Sequence, residues 1–275
     1  FKGSGCFTRG SNFRMQHYQA SMLLNQIDKL VKDTEIRRAN ADYLGEQLAD
    51  IPGVSPARIP DNSRAVWHLY PIRFDSAGLN GMSHSTFLRA LRAETLRHGA
   101  LLISDEEQTG MGRTGSFFAC SGYDVEPDIL TAAKSLAGGL PAGAVIVADE
   151  LARHFGPGSL GTTFGGGPLA AAATSTVIDV IRRDELLANV SAREAQIRNQ
   201  CVVGPVTAIQ GKGLLLGLVC DRPAVEVRDA LLERDILTGT SSDPRVLRIL
   251  APLVLESQHV DRLHAALASI PSANQ

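Results

Sequence analysis

The chain has 275 residues, of which 44% are hydrophobic and 20% charged, and its formal net charge is −2. This composition is typical of a globular protein, and the length suffices for one large or two medium domains. The near-neutral charge gives no electrostatic reason to expect nucleic acid as a partner, and no apolar run reaches the roughly 18–20 residues that span a bilayer.

The cysteines and histidines give no sign of a metal site. The cysteines are far apart and lack CxxC spacing: Cys6, Cys120, Cys201 and Cys220. We expect reduced, mostly buried thiols. His98 and His154 lack ligand partners at a suitable spacing, so no metal is expected. No signal peptide is recognisable and the chain begins at Phe1. The expected location is the cytoplasm, and a fragment or processed product is possible.

The first part of the chain is predicted to be a long helix followed by a small α/β unit. Apolar residues recur there at helical spacing: Leu23, Leu24, Ile27, Leu30, Val31, Leu44 and Leu48. Residues 51–53, Ile-Pro-Gly, are predicted to end this helix. A strand is expected over residues 66–74, at a sheet edge because it contains Pro71. Ser83 is predicted to cap a helix that runs to about Arg92.

The second part of the chain alternates strands with helices. Strands are predicted near 100–104, 129–132, 144–148, 207–210, 214–219 and 246–250. Helices are predicted near 150–155, 169–187, 224–234 and 257–269. This alternation implies a mainly parallel sheet with helical cover, followed by a small α/β domain. We expect the boundary between the two parts to lie between Phe87 and Arg97.

Two polar residues follow two of the predicted strands. Asp105 ends an apolar run and opens the segment DEEQTGMGRTG, and Lys134 follows PDILTAA 29 residues further on. In α/β sheets ligands bind at the carboxyl ends of strands, which is where both side chains are expected. An acid and a lysine so placed can hold pyridoxal phosphate (PLP). The acid pairs with the pyridinium nitrogen, and the lysine forms a Schiff base.

Five ordered motifs resemble the C-terminal half of a class III aminotransferase, closest to the acetylornithine/ornithine aminotransferases. They are DEEQTGMGRTG (105–115), PDILTAAKSLAGGLPAGA (127–144), GTTFGGGPLAAAA (161–173), GKGLLLG (211–217) and VLRILAPL (246–253). The resemblance extends over about residues 96–271. It implies an α/β fold, the type I fold of PLP-dependent transferases, with an incomplete large domain and a small C-terminal α/β domain.

Residues 1 to about 94 resemble a different family, the C-terminal part of the DegT/DnrJ/EryC1/StrS sugar aminotransferases. The matching segments are GSNFRMQHYQASMLLNQIDKL (10–30), EIRRANADYL (35–44) and WHLYPIRF (67–74). In that family Asn12 and Arg14 would belong to a loop that reaches a neighbouring subunit. The residues themselves favour a plainer interpretation, the capped entry to the long helix. The expected division of the chain is therefore 1–95, 96–200 and 201–275.

The class III resemblance assigns cofactor-binding roles to four residues. Asp105 would pair with the pyridine nitrogen, Gln108 would reach the ring hydroxyl, and Lys134 would form the Schiff base. Thr163, in a glycine-rich segment, would reach the PLP phosphate across a dimer interface. Without the resemblance, the plainer interpretation of these residues is a helix-capping acid, a solvated amide, a surface lysine and part of a glycine-rich turn.

The resemblance also implies a substrate-binding residue, and the chain departs from the family at two positions. Arg248 would grip the substrate α-carboxylate, with Arg245 as a nearby rival. Arg113 is expected to be structural rather than catalytic. Glu107 departs from the family, which usually has a small apolar residue, typically Val, against the cofactor ring. A carboxylate there is costly unless it is paired or protonated, so Glu107 is expected to disturb the site or to turn toward solvent. Gly167 in place of the usual Asn is a smaller departure.

The resemblance implies a homodimeric PLP-dependent aminotransferase that transfers an amino group between an ornithine-like donor and 2-oxoglutarate. Two alternatives remain open. The class III loop that binds the phosphate and the aromatic that stacks on the ring are not recognisable in residues 1–94, which favours a chimeric or truncated non-catalytic protein that at most pairs with another subunit. The first part of the chain favours instead a sugar or cyclitol aminotransferase.

Overall fold

The computed structural model describes residues 17–56, 59, 61–67, 69–162 and 165–273. The chain divides after His84 into two compact units. Within the described residues, no helix is long and apolar enough to cross a membrane.

The first unit consists of a long helix and a two-stranded sheet. Helix α1 (His17–Leu48) has 32 residues, and the antiparallel strands β1 (Val54–Pro56) and β2 (Ile72–Phe74) follow it. The long helix was predicted correctly, whereas β1 was not predicted. The strand expected over 66–74 shortens to β2, because Trp67 has a φ of 49° and leaves the extended conformation.

A turn at Gly53 joins the helix to this small sheet. Its φ is +74°, and a Cβ placed there would lie 2.5 Å from the carbonyl oxygen of Asp75. The Gly53 carbonyl in turn accepts a hydrogen bond of 2.7 Å from the Asp75 amide. Only glycine allows this close approach of two backbone segments, so the predicted stop signal also shapes the turn.

Helix α2 (His84–Arg97) starts at the boundary between the two units, and a three-stranded sheet of order β3-β4-β5 follows it in the second unit. Strand β3 (Ile103–Asp105) pairs in parallel with β4 (Ile129–Ala132), and β4 pairs antiparallel with β5 (Ala144–Val147). The α/β fold class is confirmed, but only one of these two pairings is parallel. The segment between β4 and β5 holds only a 3₁₀ turn, and a parallel return usually requires a longer, helical crossover.

Helices α3 (Asp149–Ala152), α4 (Pro168–Arg183) and α5 (Leu186–Gln200) follow the sheet. The sequence predicted a single helix over 169–187 and missed most of α5. The predicted helix is interrupted because Glu185, between α4 and α5, takes a left-handed conformation with a φ of 51°. Neither glycine nor proline marks this position, so the break gives no ordinary sequence signal.

The C-terminal part is a four-stranded antiparallel sheet with helices packed against it. Its strands are β6 (Val206–Lys212), β7 (Leu215–Cys220), β8 (Gly239–Thr240) and β9 (Val246–Ile249), in the order β6-β7-β9-β8. Helices α6 (Ala224–Leu232) and α7 (Ser257–Ala268) complete it. The core is formed by side chains less than 2% exposed, including Val190, Ile197, Leu214, Leu218, Leu231, Leu247 and Leu267. Each such leucine stabilises the fold by roughly 1.5–3 kcal/mol relative to an exposed one.

A second, smaller core lies between the β3-β4-β5 sheet and α4. Its buried side chains come from the loop after β3, from β4 and the turn that follows it, from α4 and from the start of α5, and they are Met111, Cys120, Leu130, Ala132, Leu136, Ile181 and Leu186. Leu130 and Ala132 are buried while Ile129 and Thr131 are half-buried, as expected for alternating faces of a strand. This core fixes the two strand ends from which the candidate site is built.

Candidate active site

Asp105 and Lys134 leave the sheet at the same edge. Asp105 is the last residue of β3 and pairs in register with Thr131 of the parallel strand β4. The Thr131 hydroxyl donates a hydrogen bond of 3.3 Å to Asp105 Oδ1. Lys134 follows the end of β4 by two residues. The acid and the lysine therefore project from neighbouring carboxyl ends of the parallel pair, where α/β sheets bind their ligands.

The backbone of Lys134 has an unusual conformation. Its φ is 53°, in the left-handed region, and it begins a 3₁₀ turn, Lys134–Ala137. Leu136 and Ala137 of that turn are buried, and α4 packs against it. A non-glycine residue in this region costs on the order of 1–3 kcal/mol and persists only where the surroundings fix it. The core thus holds Lys134 in a strained but defined position.

Glu107 is ion-paired with Lys134. The two side chains meet with Lys134 Nζ 2.6 Å from Glu107 Oε2, and they are 54% and 44% exposed. The Glu107 amide also donates a hydrogen bond of 3.1 Å to Asp105 Oδ1, which fixes the backbone between the two acids. The Glu107 carboxylate is therefore paired, which is one of the two conditions stated above, while 44% of its side chain stays exposed to solvent.

Gln108 and Arg248 come together from distant parts of the chain. Arg248 Nη2 donates a hydrogen bond of 2.7 Å to Gln108 Oε1 across a sequence separation of 140 residues. Arg248 lies on β9 and lines a cavity of about 890 Å³, whose other lining residues come mainly from the segment 235–240, from the loop after β9 and from α7. Its rival Arg245 is exposed and lies just before β9. The structure thus places two of the predicted site residues in direct contact.

Glu106 is a site residue that the sequence did not single out. Only 2% of it is exposed, and its carboxylate accepts hydrogen bonds from the amides of Ala119 (3.1 Å) and Cys120 (2.8 Å). It also accepts hydrogen bonds from the hydroxyls of Ser104 and Thr109. These bonds close the loop 106–120, which carries Glu107 and Gln108. In the sequence Glu106 is only the middle acid of Asp-Glu-Glu, a run that is typical of an exposed loop.

Arg113 has a structural position, as predicted. Its guanidinium donates to the Ala251 carbonyl, and its own carbonyl accepts a hydrogen bond of 2.9 Å from the Leu214 amide. Burial lowers the pKa of Arg113 below its usual value. The residue therefore fastens the loop after β3 to the C-terminal part of the unit, next to the strand that carries Arg248.

Some predicted residues lie outside the described part of the chain, namely Thr163, Asn12 and Arg14.

Within the described part, no group of three or more His, Cys, Asp or Glu side chains is placed to hold a metal ion. Cys120, Cys201 and Cys220 are buried free thiols, which agrees with the expectation for these three cysteines. Burial raises the pKa of Cys201 to about 11, so its thiol is held in the unreactive protonated form.

The donor set around Lys134 fits the ring of PLP. The Asp105 carboxylate is exposed and forms no ion pair among the described residues, so it can accept a hydrogen bond from a protonated ring nitrogen. Lys134 brings a primary amine to the adjacent strand end. A cavity of about 630 Å³ adjoins the Lys134–Ala137 turn and is lined by small residues, among them Gly143, Gly165 and Gly166. Neither Asp105 nor Lys134 lines that cavity within the described residues.

Two family models match the chain. Residues 75–270 match the class-III aminotransferases, and residues 2–103 match the DegT/DnrJ/EryC1/StrS aminotransferase family. The first match covers more than half of the chain. The two matches overlap over residues 75–103, so they assign this segment to both families.

Individual relatives also include aminotransferases. Acetylornithine aminotransferase 1 from Bordetella bronchiseptica is 41% identical over 186 residues, which are 66% of this chain and 47% of that protein. Among solved structures, the acetylornithine aminotransferase from Elizabethkingia anophelis is 29% identical with a TM-score of 0.62, and the match covers 68% of this chain and 52% of that one.

An ornithine aminotransferase from Toxoplasma gondii, whose structure has partial occupancy of PLP at the active site, is 30% identical with a TM-score of 0.61. This match covers 67% of the present chain and 46% of the Toxoplasma protein. The chain thus spans about half the length of the relatives it matches.

Proposed function

Because the chain belongs to the class-III aminotransferase family, we propose that it is a PLP-dependent aminotransferase that moves an amino group between an ornithine-like donor and 2-oxoglutarate. The main support for the proposal is that Asp105 and Lys134 lie at the carboxyl ends of the neighbouring parallel strands β3 and β4. The names of the relatives, acetylornithine and ornithine aminotransferases, support the choice of donor.

In this proposal each residue of the site has a defined task. PLP, when bound, supplies the electron sink that makes it possible to remove a proton from the carbon that bears the donor's reacting amine. Asp105 would hold the ring nitrogen in its protonated form, and Gln108 would donate to the ring hydroxyl. Lys134 would attach the cofactor and, once displaced by the donor, would carry the proton on Nζ. Arg248 would bind a substrate carboxylate through its guanidinium.

Thr163 and the oligomeric state belong to the same proposal. By resemblance Thr163 would reach the cofactor phosphate of a neighbouring subunit, so the active form would be a homodimer in the cytoplasm. Light scattering of the purified protein at micromolar concentration tests the dimer. A strict monomer would remove the shared-site part of the proposal and leave the roles of Asp105 and Lys134 to be judged separately.

A coupled assay for glutamate tests the proposed reaction. The purified protein is incubated with PLP, 2-oxoglutarate and either N-acetylornithine or ornithine, beside the Lys134→Ala variant. The expected result is glutamate formation by the unaltered protein with at least one donor and none by the variant. Formation at the same rate in both proteins, or in neither, would reject the proposal.

A non-catalytic role is the second candidate, and one observation favours it. Lys134 is half exposed and lines neither of the two cavities described above, so the described residues leave its amine open to water. In that case the protein would pair with another aminotransferase subunit and bind no PLP. The match of residues 2–103 also supports a sugar or cyclitol acceptor. An assay for 2-oxoglutarate formation tests this alternative when a keto sugar is the acceptor and glutamate is the donor.

A further inference from the structure

We propose that Glu107 is the resident counter-ion of Lys134 and competes with an incoming aldehyde for its amine, so that Glu107 sets how readily the lysine is captured. The proposal deepens the function proposed above and rests on it for its biological meaning. The competition between Glu107 and an aldehyde for Lys134 Nζ can be measured without the cofactor.

The geometry brings the carboxylate to the reacting atom itself. Glu107 Oε2 lies 2.6 Å from Lys134 Nζ, a short distance for a charge-assisted hydrogen bond. The Glu107 backbone is fixed, because its amide donates to Asp105 Oδ1 and the preceding residue is buried. The lysine backbone is fixed by its strained turn. Both backbones are therefore fixed, and the contact depends only on the conformations of the two half-exposed side chains.

The chemistry of the amine makes this contact competitive. To add to a carbonyl carbon, Nζ needs a free lone pair, and an ammonium bonded to a carboxylate has none available. Attachment of any aldehyde therefore requires that the Lys134–Glu107 bond be broken and that Nζ release its proton. With an apolar side chain at position 107, which the family resemblance implies as usual, there would be no ion pair to break, and only the loss of the proton would remain.

The expected size of the effect is modest because the pair is half exposed. Ion pairs at such exposure are partly screened by water, and a change of about twofold to fivefold in the reactivity of Lys134 is expected when the carboxylate is removed. Salt should have the same effect, since at about 1 M the screening length falls to about 3 Å.

Reductive methylation with formaldehyde and a borane measures this reactivity directly. The lone pair of Nζ adds to the formaldehyde carbon, the oxygen leaves as water, and hydride from the borane reduces the C=N bond to leave a methyl group. The unaltered protein is compared with Glu107→Gln and Glu107→Val, and methylation of each lysine is followed by peptide mass spectrometry. Lys32, which is exposed on α1, is the internal reference. Glu150→Gln removes another exposed carboxylate and controls for net charge.

The expected result is that Lys134 is methylated about two to five times faster in both Glu107 variants, while Glu150→Gln and Lys32 show no change. High salt should speed the reaction in the unaltered protein and leave Glu107→Gln unaffected. An unchanged or slower rate at Lys134 in Glu107→Gln would overturn the proposal. Because Glu107 is half exposed, both variants should fold, and an unaltered circular dichroism spectrum verifies this.

A parallel titration with PLP separates this proposal from the proposed function. Faster PLP attachment to Lys134 in Glu107→Gln supports both. If PLP attaches to none of the proteins while methylation of Lys134 rises, the counter-ion role holds and the proposed function fails. If PLP attaches equally well to the unaltered protein and to Glu107→Gln, the counter-ion role fails and the proposed function stands.

Discussion

Arg248 donates a 2.7 Å hydrogen bond to Gln108, and this bond joins β9 of the C-terminal sheet to the loop after β3. Both residues were assigned to the site by resemblance, one to the substrate carboxylate and the other to the cofactor ring. A guanidinium has five N–H donors, so this bond leaves others for a carboxylate. The contact therefore couples the proposed substrate-binding residue to the loop that would hold the ring.

We predict that Arg248→Lys raises the KM for the carboxylate substrate by roughly tenfold or more and changes kcat less. Lysine lacks the planar fork that bonds a carboxylate bidentately, and a hydrogen bond to a charged group contributes about 1.5–3 kcal/mol. Steady-state kinetics measure both parameters. Arg245→Lys, an exposed neighbour, is the control and should leave the KM unaltered. An equal KM in Arg248→Lys and the unaltered protein would remove Arg248 from the substrate site.

Glu106→Gln is predicted to lower the free energy of unfolding by about 1–3 kcal/mol. The buried carboxylate accepts hydrogen bonds from the amides of Ala119 and Cys120, and a glutamine would place its own N–H groups against one of these donors. Urea denaturation, with the midpoint compared at constant slope, gives the difference. Glu107→Gln removes a neighbouring, half-exposed carboxylate and should cost much less. Equal stability of the two variants would contradict the anchoring role of Glu106.

Acid should destabilise the second unit partly through Asp128. Hydrogen bonds from the Arg92 guanidinium, at 2.5 and 2.9 Å, and from the Leu102 amide lower the pKa of Asp128 below its usual value of 3.8. A carboxyl group with a lowered folded-state pKa contributes stability that is complete above its unfolded-state pKa and is lost as the pH falls through the folded-state value.

We therefore expect the unaltered protein to lose more stability than Asp128→Asn when the pH falls from about 5 to below 3.8. Thermal unfolding across this range is the measurement, with the exposed Asp149→Asn as the control, which should follow the unaltered protein. Parallel curves for Asp128→Asn and the unaltered protein would show that the Arg92–Asp128 pair does not contribute.

Asp105→Asn is predicted to weaken PLP binding and to lower kcat on the order of a hundredfold, the usual cost of removing a group that stabilises charge developing in a reaction. Asparagine keeps the shape and can still accept from the Thr131 hydroxyl, but it cannot hold a ring nitrogen protonated. Absorbance titration with PLP and the glutamate assay give the two quantities. Retention of full activity would mean that Asp105 is not the partner of the ring.

The strands were predictable where hydrophobic runs are bounded by turn residues. Strand β4 occupies the predicted residues 129–132, and β9 ends one residue before the predicted limit, because buried apolar runs are strong local signals. The break between α4 and α5 was not predictable. It depends on the left-handed conformation of Glu185, which tertiary packing imposes on a residue that ordinarily continues a helix.

The site was predictable as residue types but not as contacts. The motifs identified Asp105, Gln108, Lys134 and Arg248. The Glu107–Lys134 and Gln108–Arg248 hydrogen bonds, however, join residues that are distant in the sequence, and no local pattern predicts such contacts. Glu106 was missed for a related reason. In the sequence it is one acid among three, and only the loop that folds back over it makes it a buried acceptor.

Borohydride trapping tests whether Lys134 is the residue that attaches PLP. The purified protein is mixed with PLP, reduced with borohydride, digested and examined by peptide mass spectrometry, alongside Lys134→Ala. We expect a reduced pyridoxyl group on the peptide that contains Lys134, and no comparable labelling of any other lysine in either protein. Labelling of other lysines to the same extent, or no labelling at Lys134 at saturating PLP, would contradict it.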